Sequence, residues 1–299
     1  RMIIASQISR ISMNVLVVPF HAGAIVHLPF VSHIMHWLAA HPLSFFMAGI
    51  SALSAAPDIV SSSDEYARRF RGAVGAWQLR VQNTALLKLL GSGHNVPVLD
   101  VGGGHGQYTA ELIAHGCQLT VLGSAPETSR RIQAQVSAGK CRFETGDFMR
   151  LPFPDRAFDV VISTRQMAHV DDPPAFLGEL CRVARRAVVI DFPPQRSFNI
   201  FNRLLFPLKQ KLENGSTRPY TVFPEADIER MLLEQGFHVT SRAPLFCTPM
   251  VLHRVVRWVG LIRLVEWGCR LLGLTRCMGS PILLRADRQE ADAVAGQAT

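Results

Sequence analysis

The sequence predicts an α/β fold built on a doubly wound parallel sheet. Short apolar segments recur from residue 96 onward, and segments with helical spacing separate most of them. This alternation is typical of parallel sheets that carry helices on both faces. A glycine-rich turn directly follows the first apolar segment. Because ligands bind beyond the carboxyl ends of parallel strands, the functional residues are expected in the loops after the strands.

One or two helices are predicted before the first strand. Residues 61–63 are three serines, and Ser63 or Asp64 stands where a helix N-terminus needs a capping side chain. Apolar residues then recur from Val74 to Leu90, and Gly91 ends the pattern.

The core elements follow in regular order. Predicted strands cover 96–101, 118–123, 141–147, 158–163 and 187–192, and predicted helices cover about 107–114, 127–138 and 174–183. Two later segments, 238–244 and 281–286, are the predicted sixth and last strands.

Length, charge and cysteine content limit the classes of function. The 299 residues, 48% of them hydrophobic, suffice for one large domain with additions. The formal net charge of +8 is weak evidence for a nucleic-acid or membrane partner, because the basic residues are spread in groups of two or three. The six cysteines form no CxxC pair and no metal-ligand spacing, so we predict no disulfide framework, no metal site and a reducing, cytoplasmic compartment.

Residues 1–57 form an apolar leader. Asp, Glu, Lys and Arg are absent from Ile11 to Pro57. A spanning helix needs about 20 mostly apolar residues, and the segment that comes nearest, 15–35, contains two prolines. The interpretations are a membrane-associated segment, a targeting peptide, or a stretch of little function before a start at Met47. The first and the last of these are given equal weight.

The glycine-rich turn after the first strand has the pattern D-x-G-x-G-x-G, formed by Asp100, Gly102, Gly104 and Gly106. A phosphate-binding P-loop would close with Gly-Lys-Ser/Thr, which is absent here. The dinucleotide fingerprint would need glycine at Gln107, which weakens that interpretation. A carboxylate directly before the glycines suits a ligand that carries an ammonium and a sulfonium group.

Three motifs carry a resemblance to a known family: VLDVGGGHG, GDFMRLPFPDRAFDVVIS and FPEADIERMLLEQGF. With them, residues 66–237 resemble the class I S-adenosylmethionine-dependent methyltransferases, in the small-molecule branch of the ubiquinone and menaquinone methyltransferases. The second motif is the most specific, since that family ends one strand in Gly-Asp and begins the next with Phe-Asp after a Pro-Phe turn. The resemblance implies a Rossmann-like seven-stranded sheet with an antiparallel last strand, N-terminal helices, and helical insertions over the active site.

The resemblance also implies S-adenosylmethionine as the cofactor and a set of residues that bind it. In that family the acid at Asp147 receives the adenine amino group. The residues expected to bind the cofactor are Asp100, Gly102, Gly104, Ser124, Asp147, Phe148 and Tyr66. For Tyr66, packing of a helix-face aromatic against the core is an equal alternative.

The second strand departs from the family pattern. Where the family has an acid that grips both ribose hydroxyls, this chain has Gly123 and Ser124. Either Ser124 or Glu127 supplies a polar substitute, or the affinity for the nucleoside is lower. The structural alternative is that Ser124 only caps the following helix.

His169 and Asp191 are the candidate catalytic residues. Methyl transfer is an in-line displacement, so the protein mainly has to align the reactants and exclude water. A general base is needed only if the acceptor carries a proton at neutral pH. His169 lies just past the fourth strand and Asp191 ends the fifth, although packing beside the next helix is an alternative role for the histidine.

Two insertions, 192–222 and 247–279, leave the carboxyl ends of strands and are expected to cover the active site. Arg218 and Tyr220 in the first are candidate substrate-binding residues, with a simple turn as the alternative. The second has four arginines, at 254, 257, 263 and 270, among apolar residues and two tryptophans, a pattern of basic amphipathic helices. A lid packed on the core is favoured over membrane binding, and both interpretations favour a hydrophobic substrate.

The predicted organisation is the leader 1–57, cap helices 58–95, a methyltransferase domain 96–288 with both insertions, and a flexible tail 289–299. The predicted function is methyl transfer from S-adenosylmethionine to the oxygen or carbon of a hydrophobic small molecule. One alternative is an RNA or protein methyltransferase, but no nucleic-acid-binding module is recognisable in the sequence. The other is a degenerate cofactor-binding domain that acts as a partner protein. No nucleic-acid partner is expected, and a cytoplasmic position with peripheral contact to the inner face of a membrane is left open.

Overall fold

The computed structural model of the protein describes residues 56–92, 94–197 and 220–289. The described residues begin with three helices, α1 (Pro57–Ser61), α2 (Asp64–Arg68) and α3 (Gly72–Leu90). Ser63 caps α2 as predicted, since its Oγ accepts the Tyr66 N–H at 3.1 Å. Residues 1–55 of the leader, most of the tail and Arg218 lie outside the described residues.

The sheet has seven strands in the order β3-β2-β1-β4-β5-β7-β6. Their bounds are β1 Pro97–Val101, β2 Gln118–Gly123, β3 Arg142–Thr145, β4 Phe158–Ser163, β5 Ala184–Phe192, β6 Phe237–Phe246 and β7 Ser280–Arg288. Strands β1 to β5 pair in parallel, whereas β7 runs antiparallel to both of its neighbours. The Rossmann-like fold with an antiparallel last strand is therefore confirmed. The strand order reverses between β1 and β4, which is where ligands bind in such sheets.

Seven further helices connect the strands in the described part of the chain. They are α4 Thr109–Ala114, α5 Gln133–Ser137, α6 Pro173–Val183, α7 Glu225–Glu234, α8 Met250–Val256, α9 Val259–Leu271 and α10 Leu274–Met278. The helix predicted at 127–138 is only partly correct, because a 3₁₀ turn at Pro126–Arg131 precedes α5. Thr128 and Ser129 each bond a carbonyl three residues back, which favours the tighter turn.

Two hydrophobic layers cover the sheet. Helices α6 and α7 pack on one face, and α3 and α4 pack on the other. Val98 and Leu99 are both fully buried, but in opposite layers, as the two-residue period of a strand requires. Continuous apolar strands of this kind are typical of parallel sheets that are buried on both faces.

The second insertion forms α8, α9 and α10, which contact α3 and β6. Among the described helices, none is both long and apolar enough to cross a bilayer. All six cysteines are free thiols, and the described residues contain no cluster of three or more potential metal ligands.

Candidate active site

The glycine loop lies at the carboxyl end of β1. Gly102 and Gly106 adopt left-handed backbone conformations, with φ of 78° and 70°, which residues with a Cβ adopt only at a cost. Gly103 is needed for a different reason. A Cβ at that position would lie 2.0 Å from the Asp100 Oδ2, so only glycine lets the backbone pass over this carboxylate.

Asp100 is a buried carboxylate beneath the loop. Its side chain is fully buried, and neither oxygen has a hydrogen-bond partner among the described residues. Burial raises the pKa of Asp100 to about 7. An unpaired buried charge is costly, so the position favours a ligand that brings a positive charge and N–H donors. The α-ammonium of S-adenosylmethionine has this chemistry, and the loop residues therefore fit the cofactor.

His105 fixes the shape of the loop. Its Nδ1 accepts the Gln107 N–H at 3.1 Å, and its Nε2 lies 3.4 Å from the Thr164 Oγ1. Burial, together with the charges of Arg165 and Arg131, lowers the pKa of His105 well below its ordinary value. The ring is therefore neutral at physiological pH and connects the loop to the residue after β4.

A carboxylate reaches the end of β2 from another element. Ser124 donates its N–H to Oδ2 of Asp58 at 2.8 Å and its hydroxyl to Oδ1 at 2.6 Å. Asp58 lies in α1 and is fully buried. Burial raises the pKa of Asp58, and the hydrogen bonds from Ser124 act in the opposite direction. A carboxylate 66 residues earlier in the chain is thus bonded to the end of β2, and the Ser124 hydroxyl does not cap the following turn.

Asp147 lies at the surface and Phe148 in the core, although the two residues are adjacent after β3. Asp147 is exposed, and its Oδ1 accepts the Met149 N–H at 2.8 Å, which closes a turn. The Phe148 ring is packed in the hydrophobic core and is only 6% exposed. The Asp147 carboxylate is therefore held at the carboxyl edge of the sheet with one oxygen engaged by the backbone.

Arg165 is the centre of a polar cluster after β4. Arg165 adopts a left-handed backbone conformation, with a φ of 66°. Its backbone N–H donates to the Asp191 Oδ1 at 2.6 Å. The guanidinium donates to the Tyr66 hydroxyl and the Gln82 Oε1, both at 2.7 Å, and to the Gln107 Oε1. The Arg165 side chain therefore joins α2, α3 and the end of the glycine loop, and its backbone N–H adds the end of β5.

This cluster brings together two of the predicted residues, Tyr66 and Asp191. Asp191 is 9% exposed, and burial raises its pKa while the charge and the N–H of Arg165 oppose that shift. The Asp191 carboxylate accepts the backbone N–H of Arg165 and thereby holds the chain just after β4. Sequence reasoning missed Arg165, although a charged residue directly after an apolar strand is a usable signal. It also missed Asp58, the first acidic residue after the leader.

His169 ends the short turn Met167–His169 and is half-buried. The Thr221 N–H donates to the Ala168 carbonyl at 2.9 Å, so the chain next to Tyr220 lies against this turn. The structure thus brings Tyr220 and His169 to the same end of the sheet.

Comparisons with known proteins agree with this geometry. Residues 99–190 match the family model described as a methyltransferase domain. The demethylmenaquinone methyltransferase of Deinococcus radiodurans is 31% identical over 170 residues, which cover 50% of this chain and 70% of the relative. The demethylmenaquinone methyltransferase of Thermus thermophilus is 31% identical over 189 residues, which cover 56% of this chain and 84% of the relative.

A solved structure shows the same fold. The magnesium protoporphyrin IX methyltransferase of Synechocystis PCC 6803, with bound SAH, aligns with a TM-score of 0.52 at 17% identity. The alignment covers 76% of this chain and 94% of that protein. At this identity the likeness concerns the fold alone.

Proposed function

The chain belongs to the class I S-adenosylmethionine-dependent methyltransferases, in the branch of the quinone methyltransferases, and from this premise we propose that it methylates a hydrophobic, quinone-like small molecule. The observation that supports it most directly is the buried, unpaired carboxylate of Asp100 under a glycine loop. This arrangement suits a cationic cofactor. The quinone-like acceptor is supported by the names of the relatives at 31% identity.

The cofactor, when bound, supplies an activated methyl group on a sulfonium. We assign Asp100 to its ammonium group and Asp147 to the adenine amino group. We assign backbone contacts with the cofactor to Gly102 and Gly104; a Cβ would lie 2.3 Å from the Gln166 side chain at the first and 2.3 Å from the Thr128 carbonyl oxygen at the second, so the loop keeps its shape only with glycine there. Tyr66 and Phe148 remain candidate contacts, the first through a hydroxyl that already accepts from Arg165.

Asp58 takes the role of the acid that the second strand lacks. Each of its oxygens accepts one hydrogen bond from Ser124, and a carboxylate can accept about four in all. The backbone N–H groups of Asp58 and Ile59 also act on this carboxylate. We assign the lone pairs that these contacts leave to the ribose hydroxyls. In this proposal the cap helices 58–95 contribute directly to the cofactor site through α1.

His169 accepts the proton that the acceptor loses as its oxygen or carbon bonds to the methyl group. The histidine is half-buried beside the chain at Tyr220 and is therefore reachable from the acceptor side. Asp191 is a positioning residue, since its carboxylate holds the N–H of Arg165 and thereby the loop that carries His169.

The decisive experiment is a radiolabelled methyl-transfer assay with the purified enzyme on four acceptors in parallel: a reduced demethylnaphthoquinone, a catechol, total RNA and total protein. We expect label on the naphthoquinol, and position-resolved mass spectrometry to distinguish O- from C-methylation. The His169→Ala variant should lower turnover by roughly 100- to 10,000-fold and leave the cofactor affinity unchanged. Label on RNA or protein alone would replace the proposal, and cofactor binding without any turnover would favour a non-catalytic partner protein.

The cytoplasmic position and the absence of a nucleic-acid partner are likewise proposals. The RNA arm of the same assay tests the second of them directly.

A further inference from the structure

The second insertion exposes an unusually apolar surface. Its outer face, here called the apolar face, consists of large side chains on α8 to α10 and their connections. Its most exposed members are Trp258 at 67%, Leu264 at 62%, Trp267 at 62%, Leu271 at 71% and Leu272 at 75%. Contiguous exposed apolar surface of this kind marks an interaction site more often than an ordinary protein surface.

The apolar face is not needed for packing of the insertion. Ile262 and Glu266 lie one turn apart on the inner side of α9 and are buried against the rest of the domain. Leu264, Trp267 and Leu271 follow the spacing i, i+3, i+7 on the opposite side of the helix. The helix is therefore apolar on the side that faces solvent as well.

A basic cavity adjoins the apolar face. It has a volume of about 860 Å³ and lies between α3, β6 and the α9–α10 region. Five of its lining residues are basic: Arg80, Lys88, Arg242, Arg270 and Arg276. None of the described residues that line it is acidic, although Glu225 pairs with Arg242 from outside the lining. Arg270 lines the cavity and its neighbour Leu271 belongs to the apolar face, so the two features are contiguous.

The combination selects one class of partner. A bilayer with anionic headgroups offers apolar depth for tryptophan and leucine side chains and negative charge for the adjacent cations. A second copy of this chain would offer the apolar surface but would bring the same positive charges against the cavity. RNA would satisfy the charges but leave the apolar face in water. Helix α9 has 13 residues, whereas a spanning helix needs about 20, so the contact that α9 can make is interfacial.

We propose that the apolar face of α9 and the adjoining basic cavity form a docking surface for an anionic lipid bilayer, with α9 lying in the interface and the cavity receiving lipid phosphate. The surface is separate from the glycine loop. Binding is therefore measurable without turnover, and this proposal can fail while the proposed function holds.

The test is flotation of the full chain with vesicles. Vesicles of phosphatidylglycerol and phosphatidylcholine should bind the protein at least tenfold more tightly than vesicles of phosphatidylcholine alone, and binding should fall at least tenfold between 0.05 and 0.5 M NaCl because exposed charges are screened. An apolar triple variant, Leu264→Ser, Trp267→Ser and Leu271→Ser, should lose binding to both. A basic triple variant, Arg80→Glu, Lys88→Glu and Arg276→Glu, should lose the preference for anionic lipid.

A matched control reverses three exposed charges at the far edge of the sheet. Arg130→Glu, Lys140→Glu and Arg142→Glu change the net charge by the same amount near β3, at the edge opposite to β6. This variant should bind vesicles almost as the parent does, and all variants should retain their thermal unfolding and cofactor affinity. If the basic and the control variants lose vesicle binding equally, net charge alone explains the binding and the proposal is overturned. The proposal would also be overturned if the apolar variant still binds vesicles, or if the only effect of that variant is to convert a dimer to a monomer. Binding of RNA but not of vesicles by the parent protein would overturn it as well.

Discussion

At the scale of single residues, the buried carboxylate of Asp100 and the half-buried guanidinium of Arg165 show how differently two charges are treated at one end of the sheet. Asp100 has no hydrogen-bond partner among the described residues, whereas the Arg165 guanidinium donates to oxygens of Tyr66, Gln82 and Gln107. A charged side chain that has several hydrogen-bond partners contributes to a fixed geometry, and a buried charge without partners favours a ligand. We therefore expect Arg165 to organise the site and Asp100 to bind the cofactor.

The pKa of Asp100 gives a pH-dependent prediction. Because burial raises this pKa to about 7, the carboxyl group is largely protonated at pH 5.5 without ligand. A cationic cofactor prefers the ionised form, so its affinity should rise with pH from 5.5 to 7, by up to about tenfold per unit. Isothermal titration over this range, where the ammonium of the cofactor stays protonated, measures the slope.

The control for this prediction is Asp100→Asn, which removes the titrating group and keeps the side-chain size. Its cofactor affinity should be weaker, by about 1.5–3 kcal/mol at pH 7, and flat with pH. A parent enzyme whose affinity is also flat would remove Asp100 from the ammonium site.

At the scale of elements, α1 is a five-residue helix that is too short to be stable alone, and its attachment to the sheet depends on tertiary contacts. The Asp58 carboxylate provides one such contact through both hydrogen bonds from Ser124. The same carboxylate is the proposed ribose acceptor, so a test must separate a structural contact from a ligand contact.

The Asp58→Asn variant makes that separation. We expect it to weaken binding of S-adenosylmethionine by roughly 10- to 100-fold, because it loses hydrogen bonds to a charged acceptor. Binding of the 2′-deoxy analogue should change much less, since that ligand lacks one of the hydroxyls. If Asp58 only attaches α1 to β2, competition binding will show both ligands weakened by the same factor.

The second insertion is attached through the buried carboxylate of Glu266. It accepts the backbone N–H groups of Cys247 at 2.9 Å and Thr248 at 2.8 Å, and also bonds the Thr248 hydroxyl and the His253 ring. Burial alone would raise the pKa of Glu266, but these hydrogen bonds keep it below its ordinary value. The other nitrogen of His253 pairs with Gln78 on α3 at 3.0 Å.

This network predicts an acid-sensitive contribution to stability. A carboxyl group whose pKa is lowered on folding stabilises the protein above its unfolded pKa, near 4.5, and loses that contribution as the pH falls through the folded value. Glu266→Gln should therefore lower the free energy of unfolding at pH 7 by about 1.5–3 kcal/mol and flatten the decline below pH 4.5. Thermal unfolding between pH 3 and 7 measures both effects.

Asp227→Asn is the matched control, because that carboxylate forms a half-exposed pair with Arg230 at 3.0 Å on α7. Exposed pairs of this type contribute about 0–1 kcal/mol. Similar losses in both variants would mean that burial of Glu266 has no special effect.

At the scale of the whole molecule, the candidate active site and the docking surface meet on α3. Gln82 on this helix accepts from Arg165, while Arg80 and Lys88 line the basic cavity. A hydrophobic acceptor dissolved in a bilayer would thus be presented to an enzyme that binds the same bilayer.

This arrangement predicts that salt changes the KM only for an acceptor that is presented in a membrane. With a long-chain acceptor in phosphatidylglycerol vesicles, the KM should rise several-fold between 0.05 and 0.5 M NaCl, because the attraction of the basic residues to the lipid is screened. With a short-chain acceptor in solution, the KM should stay constant. Equal salt dependence for both acceptors would assign the effect to the active site itself.

Much of the fold follows from local sequence patterns. The predicted strands 118–123 and 158–163 agree with β2 and β4 residue for residue, and Ser63 caps the helix that its position predicted. These features depend on side-chain periodicity, capping and turn chemistry, all of which act between residues close in the chain. The glycine loop was found for the same reason, since its conformation follows from its own residues.

The tertiary structure decided which distant residues meet. Nothing near Ser124 in the sequence indicates that Asp58 bonds it, and nothing near Arg165 indicates its partners on α2 and α3. These contacts depend on the strand order and on how the N-terminal helices pack across the sheet end. The sequence by itself therefore determined the elements, the glycine loop and the cofactor class. Only the folded chain determined the source of the second carboxylate and the partners of Arg165, because long-range contacts are set by packing rather than by local conformational preference.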